Sequence, residues 1–174
     1  KHPAFLLMVA RLVPYKRIDL AIAAAKQLGQ PLIIIGTGPE KSQVRSQLND
    51  TILQLDSVSD QELAWLYTHS QVVLVPGIED FGLTALEANV YGVPVIVHQH
   101  AGAAEVIVNG KHGLHLRSQT SKALAEAIKE TQTLSFNQFE LRQNAKKYDT
   151  SIFVKRFQQL IQADWQHHRK HKQR

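Results

Sequence analysis

One short stretch in the middle of the chain places carboxylates on both sides of a glycine. Glu79 stands in a segment typical of a loop, Gly82 follows it, and Glu87 lies one turn into a helix predicted to start near Leu83 or Thr84. A carboxylate accepts two hydrogen bonds, so each glutamate suits a vicinal diol of a sugar or ribose, and the free helix amides suit a phosphate oxygen. Alternatively, Glu79 and Asp80 only complement the helix dipole and Glu87 is a surface residue, although the placement of Gly82 counts against this.

Two cations follow the first predicted strand. Arg11 and Lys16 flank a turn stiffened by Pro14, at the carboxyl end of that strand. Two positive charges near a helix N-terminus match a diphosphate, which carries about two negative charges. The alternative is that both are surface charges that serve solubility.

The loops after the second and third predicted strands are less specific. Gly36 and Gly38 let a backbone approach a ligand closely, and Pro39 suits the start of a helix. The dinucleotide fingerprint is excluded because Glu40 and its neighbour occupy the place of the third glycine. Taken alone, the two glycines favour a mere tight turn, and the segment around Val58 offers only backbone that could border a base.

His98 and His100 follow the fifth predicted strand. In an extended segment both rings would lie on one face, as in a metal-binding pair. No third ligand stands nearby at a convincing spacing, so the sequence does not favour a metal site. The adjacent Gly102, among small residues, indicates another loop that allows close approach.

These loops require a scaffold of alternating strands and helices. Short runs rich in β-branched residues or leucine predict strands at 5–9, 31–35, 52–55, 72–75, 94–97 and 113–116. Helical spacing of apolar residues predicts helices at 18–28, 41–48, 60–69, 84–91, 121–129, 136–148 and 151–166, the third beginning with a cap at Ser59. The alternation indicates an α/β fold, a Rossmann-like doubly wound parallel sheet followed by C-terminal helices. Ligands of such sheets bind in the loops at the carboxyl ends of the strands.

Composition narrows the function classes. The 174 residues contain no cysteine, which excludes disulfide and thiolate chemistry, and their apolar runs are strand-sized, too short to span a membrane. No signal peptide is visible, so we expect a cytoplasmic protein. The net charge of +5 is concentrated in residues 167–174, which hold four of the 20 basic side chains. This tail is typical of a solvated terminus, and its alternatives are weak contact with the inner face of a membrane or with nucleic acid.

Taken together, the loops resemble those of the C-terminal, nucleotide-sugar-binding domain of the retaining GT-B glycosyltransferases of family 4. The resemblance covers about 5–148, and its strongest element is the E-x7-E motif formed by Glu79 and Glu87. Four further landmarks stand in the family's order: ARLVPYK at 10–16, GTGPE at 36–40, VSDQEL at 58–63 and AGAAEVI at 101–107. Their order makes the match specific.

The resemblance implies roles for individual residues. Arg11 and Lys16 would hold the donor diphosphate and stabilise it as a leaving group, Glu79 would contact the donor sugar, and Glu87 would bind the ribose hydroxyls. The remaining positions would line the sugar, phosphates and nucleotide: Phe81, Gly82, Leu83, Thr84, Gly36, Gly38 and Val58. The implied reaction is hexosyl transfer with retention from a nucleotide diphosphate sugar, without a metal or other cofactor, and the sequence variants lean towards GDP-mannose.

The resemblance also implies a partial enzyme. Residues 1–150 would form the donor domain and 151–174 a C-terminal helix and tail, while the acceptor sugar or lipid-linked glycan would bind an N-terminal domain absent from this chain. The chain begins without methionine directly before a strand, so we expect a fragment with little or no activity by itself. A GT-B-like nucleotide-sugar epimerase and a non-catalytic nucleotide-sugar-binding domain remain as alternatives.

Overall fold

Six short strands alternate with helices and pair in parallel as one sheet. The structure is a computed structural model that describes residues 5–172, without the side chains of residues 166, 167 and 169–172. The strands are β1 (Phe5–Val9), β2 (Leu32–Ile35), β3 (Ile52–Leu55), β4 (Ser70–Val75), β5 (Val95–His98) and β6 (Gly113–Leu116). A 3₁₀ turn (Pro14–Lys16) precedes the helices, which are α1 (Ile18–Leu28), α2 (Lys41–Arg45), α3 (Asp60–His69), α4 (Leu83–Val90), α5 (Ala103–Val106), α6 (Ser121–Thr133), α7 (Gln138–Lys146) and α8 (Thr150–Lys172). The predicted Rossmann-like α/β fold is confirmed.

The order of the strands determines where a ligand can bind. The sheet runs β3-β2-β1-β4-β5-β6, so the chain winds outwards from β1 in one direction and from β4 in the other. Leu7 of β1 pairs with Ile33 of β2 on one side and with Val73 of β4 on the other. A sheet wound in this way has a crevice at the carboxyl ends of the two central strands, where the winding direction reverses. The loops after β1 and β4 border that crevice.

Helices cover both faces of the sheet. Successive strand residues point to opposite faces, and here nearly all of them are apolar. Leu6 and Met8 pack into a core shared with α1 and α6, whereas Phe5 and Leu7 pack into a second core shared with α3 and α4. Full burial of each such side chain contributes about 1.5–3 kcal/mol. The two cores therefore hold the strand ends, and the loops that leave them, in fixed positions.

Side chains mark where several helices begin. At α3 the Ser59 hydroxyl accepts a hydrogen bond from the Glu62 amide, and the Glu62 carboxylate accepts one from the Ser59 amide at 2.8 Å. This capping box confirms the cap predicted from the sequence. Thr120 and Asn137 cap α6 and α7 in a similar way. In contrast, α4 begins after Gly82 with no side-chain cap, which leaves its first amides available to a ligand.

Several element ends differ from the predictions. Helix α2 ends at Arg45 and not at residue 48, because the amides of Gln47 and Leu48 donate to carbonyls three residues back and the four-residue spacing of the α-helix stops. Helix α5 was not predicted, since four residues are too few to show a helical period. Helices α6 and α8 extend to Thr133 and Lys172, beyond the predicted ends at 129 and 166.

Helix α8 leaves a row of apolar side chains exposed. Phe153, Phe157 and Trp165 are each more than half exposed. The row also includes Val154, Leu160 and Ile161. Of the basic tail at 167–174, only His168 has a described side chain. Within residues 5–172, none of the helices combines the length and the hydropathy needed to cross a membrane.

Candidate functional site

An open cavity of about 620 Å³ lies where the loops after β1 and β4 meet. Its walls come from the 3₁₀ turn that follows β1 and from the loop and first turn of α4 that follow β4. The residues that line it are Tyr15, Lys16, Ile78, Glu79, Asp80, Phe81, Gly82, Leu83 and Thr84. Six of these residues were singled out in the sequence. They come from two segments, around Lys16 and around Glu79, that lie more than sixty residues apart in the chain and that the fold brings together. The other predicted site residues, Arg11, Gly36, Gly38, Val58 and Glu87, do not line this cavity.

Lys16 and Glu79 form an ion pair inside the cavity. The ammonium nitrogen Nζ of Lys16 lies 2.7 Å from Oε1 of Glu79, and the two side chains are only 16% and 11% exposed. The same ammonium lies 5.3 Å from the centre of the Tyr15 ring. Charges shielded from water in this way interact more strongly than an ion pair on the surface. The sequence predicted separate ligands for these two groups, and the structure places them in contact with each other.

Two glycines support the loop that carries Glu79. Gly82 has a φ of 85°, and a Cβ atom there would lie 2.4 Å from the Cβ of Ala103 in α5. Gly102 donates its backbone N–H to the carbonyl oxygen of Glu79 at 2.7 Å. A Cβ atom on Gly102 would lie 1.6 Å from the carbonyl oxygen of Asp80. The sequence predicted a close backbone approach at Gly102, and the structure shows that the backbone of Gly102 approaches the loop of Glu79. The start of α5 thereby holds this loop in place.

Arg17 and Gln119, which the sequence did not single out, fix the turn that carries Lys16. Arg17 adopts the left-handed conformation, with φ 57°, and its guanidinium donates to Asp19 at 3.0 Å and to Oε1 of Gln119 at 3.3 Å. Gln119 donates from Nε2 to the carbonyl oxygen of Pro76 at 3.0 Å. Gln119 follows β6 but ties the turn after β1 to the end of β4. No local pattern could have revealed it, because the contact depends on the order of the strands.

Glu87 lies on α4 and faces a groove of about 410 Å³ between α4 and α7. Its Oε2 accepts a hydrogen bond at 2.9 Å from the hydroxyl of Tyr67, a side chain that is 1% exposed. The ring of Tyr67 stacks on that of Tyr91, with 5.2 Å between the ring centres. Burial, together with the charge of Glu87, raises the pKa of Tyr67 strongly, so the phenol stays protonated and donates. Tyr67 thus orients Glu87. In the sequence, Tyr67 is only one of the apolar residues at helical spacing in the helix predicted at 60–69.

The glycine turn after β2 serves contact between two loops. Gly36 has a φ of 140°, and a Cβ atom there would lie 2.0 Å from the carbonyl oxygen of Ala10. At Gly38 a Cβ atom would lie 2.4 Å from the carbonyl oxygen of Leu12. Both glycines are therefore needed for packing against the loop after β1, and the sequence hypothesis of close approach to a ligand is not required to explain them. Their contact with a nucleotide stays a prediction.

Arg11 and Val58 lie at the carboxyl edge of the sheet outside the cavity. Arg11 is exposed, five residues before Lys16, and its side chain makes no hydrogen bond or ion pair within residues 5–172. Val58 is half-buried and packs against the core on the α3 side of the sheet. The roles implied for these two residues stay predictions.

His98, the last residue of β5, forms a hydrogen-bonded pair with His100. Nδ1 of the buried His98 accepts a hydrogen bond from the backbone N–H of His100 at 3.3 Å, and the two ring centres lie 5.5 Å apart. Burial lowers the pKa of His98 and favours its neutral form. In the part of the chain that the structure describes, three or more histidines and carboxylates do not come together in a way that could hold a metal ion.

A sequence profile of glycosyl transferases group 1 matches residues 1–151. The chain belongs to this family. An exopolysaccharide phosphotransferase of Streptomyces coelicolor is 31% identical over 173 residues, a match covering 90% of this chain and 18% of that protein. A GDP-mannose-dependent α-(1-6)-phosphatidylinositol monomannoside mannosyltransferase of Mycobacterium tuberculosis is 28% identical over 140 residues, which cover 70% of this chain and 36% of the relative.

Solved structures of glycosyltransferases share the fold of this group 1 domain. The apo form of the lipopolysaccharide outer core galactosyltransferase WaaB aligns with a TM-score of 0.81 at 17% identity, covering 94% of this chain and 50% of that one. Anabaena HepE in complex with UDP-glucose aligns with a TM-score of 0.80 at 22% identity, covering 92% and 49%. At these identities the likeness is one of fold. The chain spans about half the length of these structures and a smaller share of its curated relatives.

Proposed function

We propose that this group 1 domain binds the nucleotide diphosphate sugar of a retaining, metal-independent glycosyltransferase. One observation carries the proposal: the cavity between the loops after β1 and β4 holds Lys16, Glu79 and the uncapped N-terminus of α4 side by side. A cation, a hydrogen-bond acceptor and free backbone amides match, in turn, a diphosphate, a sugar hydroxyl and phosphate oxygens. A nucleotide diphosphate sugar carries both a diphosphate and sugar hydroxyls within one small molecule.

The diphosphate would lie between Lys16 and the first turn of α4. Lys16 is fixed by its turn, and the N-terminus of α4 adds the positive end of the helix dipole. Arg11, exposed five residues upstream, would swing towards the same phosphates. Preorganised positive groups of this kind stabilise the negative charge that develops on a departing diphosphate. They would supply the charge neutralisation that a bound metal ion supplies in other transferases.

The sugar and the nucleoside would extend in opposite directions from the diphosphate. Glu79, on the cavity wall, would accept hydrogen bonds from hydroxyls of the donor sugar. Glu87 would bind the ribose diol, since Tyr67 occupies Oε2 and leaves Oε1 without a hydrogen-bond partner within residues 5–172. The base would then lie over the carboxyl ends of β2 and β3, against the loops of Gly36, Gly38 and Val58.

Transfer with retention would follow departure of the diphosphate. An oxocarbenium-like sugar would remain in the cavity, and the acceptor hydroxyl would attack from the face that the diphosphate has left, passing its proton to the departing phosphate. Glu79 as a covalent nucleophile is the less favoured scheme. The acceptor would be supplied by another domain, as the chain spans about half the length of the solved relatives. GDP-mannose is the proposed donor, supported by the mannosyltransferase relative.

Calorimetric titration with UDP, GDP, ADP and their sugars tests the proposal. We expect at least one of these ligands to bind at millimolar concentration or below, with a preference for the guanine series. Lys16→Ala should weaken binding at least tenfold, because it removes the only described cation that lines the cavity. Lys26→Ala is the matched control, since Lys26 is an exposed lysine near the end of α1 and should leave binding unchanged. Failure of all six ligands to bind would refute the donor site.

Product analysis separates transfer from the alternatives. With a nucleotide sugar and no acceptor, an epimerase would convert the donor, and a transferase would at most hydrolyse it slowly. A binding domain without catalytic function would bind the donor but stay inactive when fused to the remainder of its natural protein.

A further inference from the structure

The ion pair between Lys16 and Glu79 occupies the position where the proposed diphosphate would bind. Nζ of Lys16 lies 2.7 Å from Oε1 of Glu79, and neither side chain is more than one sixth exposed. Within residues 5–172, neither charged group has a second hydrogen bond or ion pair. A phosphate that binds Lys16 therefore lies close to the carboxylate of Glu79, which has the same charge, and the two anions share or compete for one ammonium group.

The consequence differs between a nucleoside diphosphate and a nucleotide sugar. If a nucleoside diphosphate takes Lys16, Glu79 is left as a shielded carboxylate without a partner, which is unfavourable. A nucleotide sugar brings hydroxyl groups that donate to Glu79 at the moment that the phosphate takes Lys16. Each charged group then exchanges one partner for another, and no charge is left unpaired.

We propose that the Lys16–Glu79 pair selects the sugar-bearing nucleotide and disfavours the nucleoside diphosphate that remains after transfer. This inference rests on the proposed function. Once the sugar has left, the carboxylate of Glu79 regains Lys16 and helps to displace the product. Glu79 thus acts in donor selection and in product release, in addition to contacting the sugar.

Paired titrations of a nucleoside diphosphate and its nucleotide sugar test the inference, with Glu79→Gln as the decisive variant. Glutamine has nearly the same shape and still accepts a hydrogen bond from a sugar, but it neither holds Lys16 as an ion pair nor repels phosphate. The variant should bind the nucleoside diphosphate about tenfold more tightly than the wild type does. Its affinity for the nucleotide sugar should stay equal or fall, so the preference for the sugar-bearing ligand should shrink at least tenfold.

Asp80→Asn is the matched control. Asp80 lines the same cavity and is adjacent in sequence, but it forms no ion pair within residues 5–172. Its replacement removes the same charge and should change the affinities of both ligands by similar factors. If Asp80→Asn reduced the preference as much as Glu79→Gln does, general electrostatics would explain the effect and the inference would be overturned.

The remaining outcomes separate the inference from the function on which it rests. Unchanged preference in a Glu79→Gln variant that unfolds at the wild-type temperature would overturn the inference and leave the donor site intact. If Glu79→Gln fails to fold, Lys16→Gln provides the second test: it should weaken both ligands and also reduce the preference, because no cation remains to be exchanged. If the wild type binds none of the nucleotides, the proposed function is overturned and this inference with it.

Discussion

Replacing Tyr67 with phenylalanine would remove one hydroxyl group from the interior and leave the packed ring in place. The ring is 1% exposed and stacks on Tyr91, so Tyr67→Phe creates no large cavity. What is lost is the hydrogen bond of 2.9 Å from the phenol to the carboxylate of Glu87. A hydrogen bond to a charged group contributes about 1.5–3 kcal/mol to folding. Because Glu87 is exposed and water can replace the hydroxyl there, we expect a loss near the lower end, about 1.5 kcal/mol.

Thermal and urea unfolding followed by circular dichroism measure this loss. For a domain of this size, about 1.5 kcal/mol corresponds to a decrease in Tm of roughly 3–6 °C. The urea m value should not change, since the surface exposed on unfolding is nearly the same. Nucleoside binding should also weaken modestly, because Glu87 loses the contact that orients it.

A double-mutant cycle assigns the loss to the pair. Glu87→Gln and Tyr67→Phe are combined, and a coupling energy of at least 0.5 kcal/mol is expected between groups in direct contact. Two results would refute the reasoning: a Tyr67→Phe variant as stable as the wild type, or effects of the two substitutions that add within about 0.3 kcal/mol.

Two further predictions concern backbone packing and pH. Gly36→Ala should lower the free energy of unfolding by about 2 kcal/mol or more, because its Cβ would lie 2.0 Å from the carbonyl oxygen of Ala10 at a φ of 140°. Gly110→Ala is the control, since Gly110 has a φ of 76° but open space around it. Equal losses of stability for the two variants in chemical denaturation would contradict the packing argument. Burial lowers the pKa of His112, and the nearby Lys147 and Lys111 lower it further. The stability that the neutral His112 contributes is therefore present above the pKa of an unfolded histidine, about 6.5, and is lost as the pH falls below that value. Tm should therefore decrease between pH 7.5 and 5, and by less in His112→Asn; an identical decrease in that variant would show that His112 is not responsible.

Much of the fold could be predicted because its signals are local. Continuous apolar runs marked the strands, and the bounds predicted for β1, β3, β6, α1 and α3 agree with the structure. The capping box of Ser59 was visible for the same reason, since both of its partners lie within four residues. Helix α5 escaped prediction because one turn is shorter than the period that reveals a helix.

The residues of the candidate site also differ in whether their signal in the sequence is local. Glu79, Gly82 and Lys16 could be singled out because they stand in loops at the carboxyl ends of strands, where ligands of such sheets bind. Tyr67 and Gln119 could not, because each acts through a partner that is distant in sequence, twenty residues away for Glu87 and forty-three for Pro76.

The sequence by itself determined the parallel α/β architecture and the chemical types available at the strand ends. Only the tertiary structure decided which of those groups meet. The strand order places β1 beside β4, which brings Lys16 within 2.7 Å of Glu79, whereas Glu87 points to a different groove. The physical reason is that helix and strand periods are local properties of the chain, but an ion pair or a crevice depends on how the packed sheet is wound. The strand order also places β2 beside β1, so Gly36 and Gly38 contact the loop after β1.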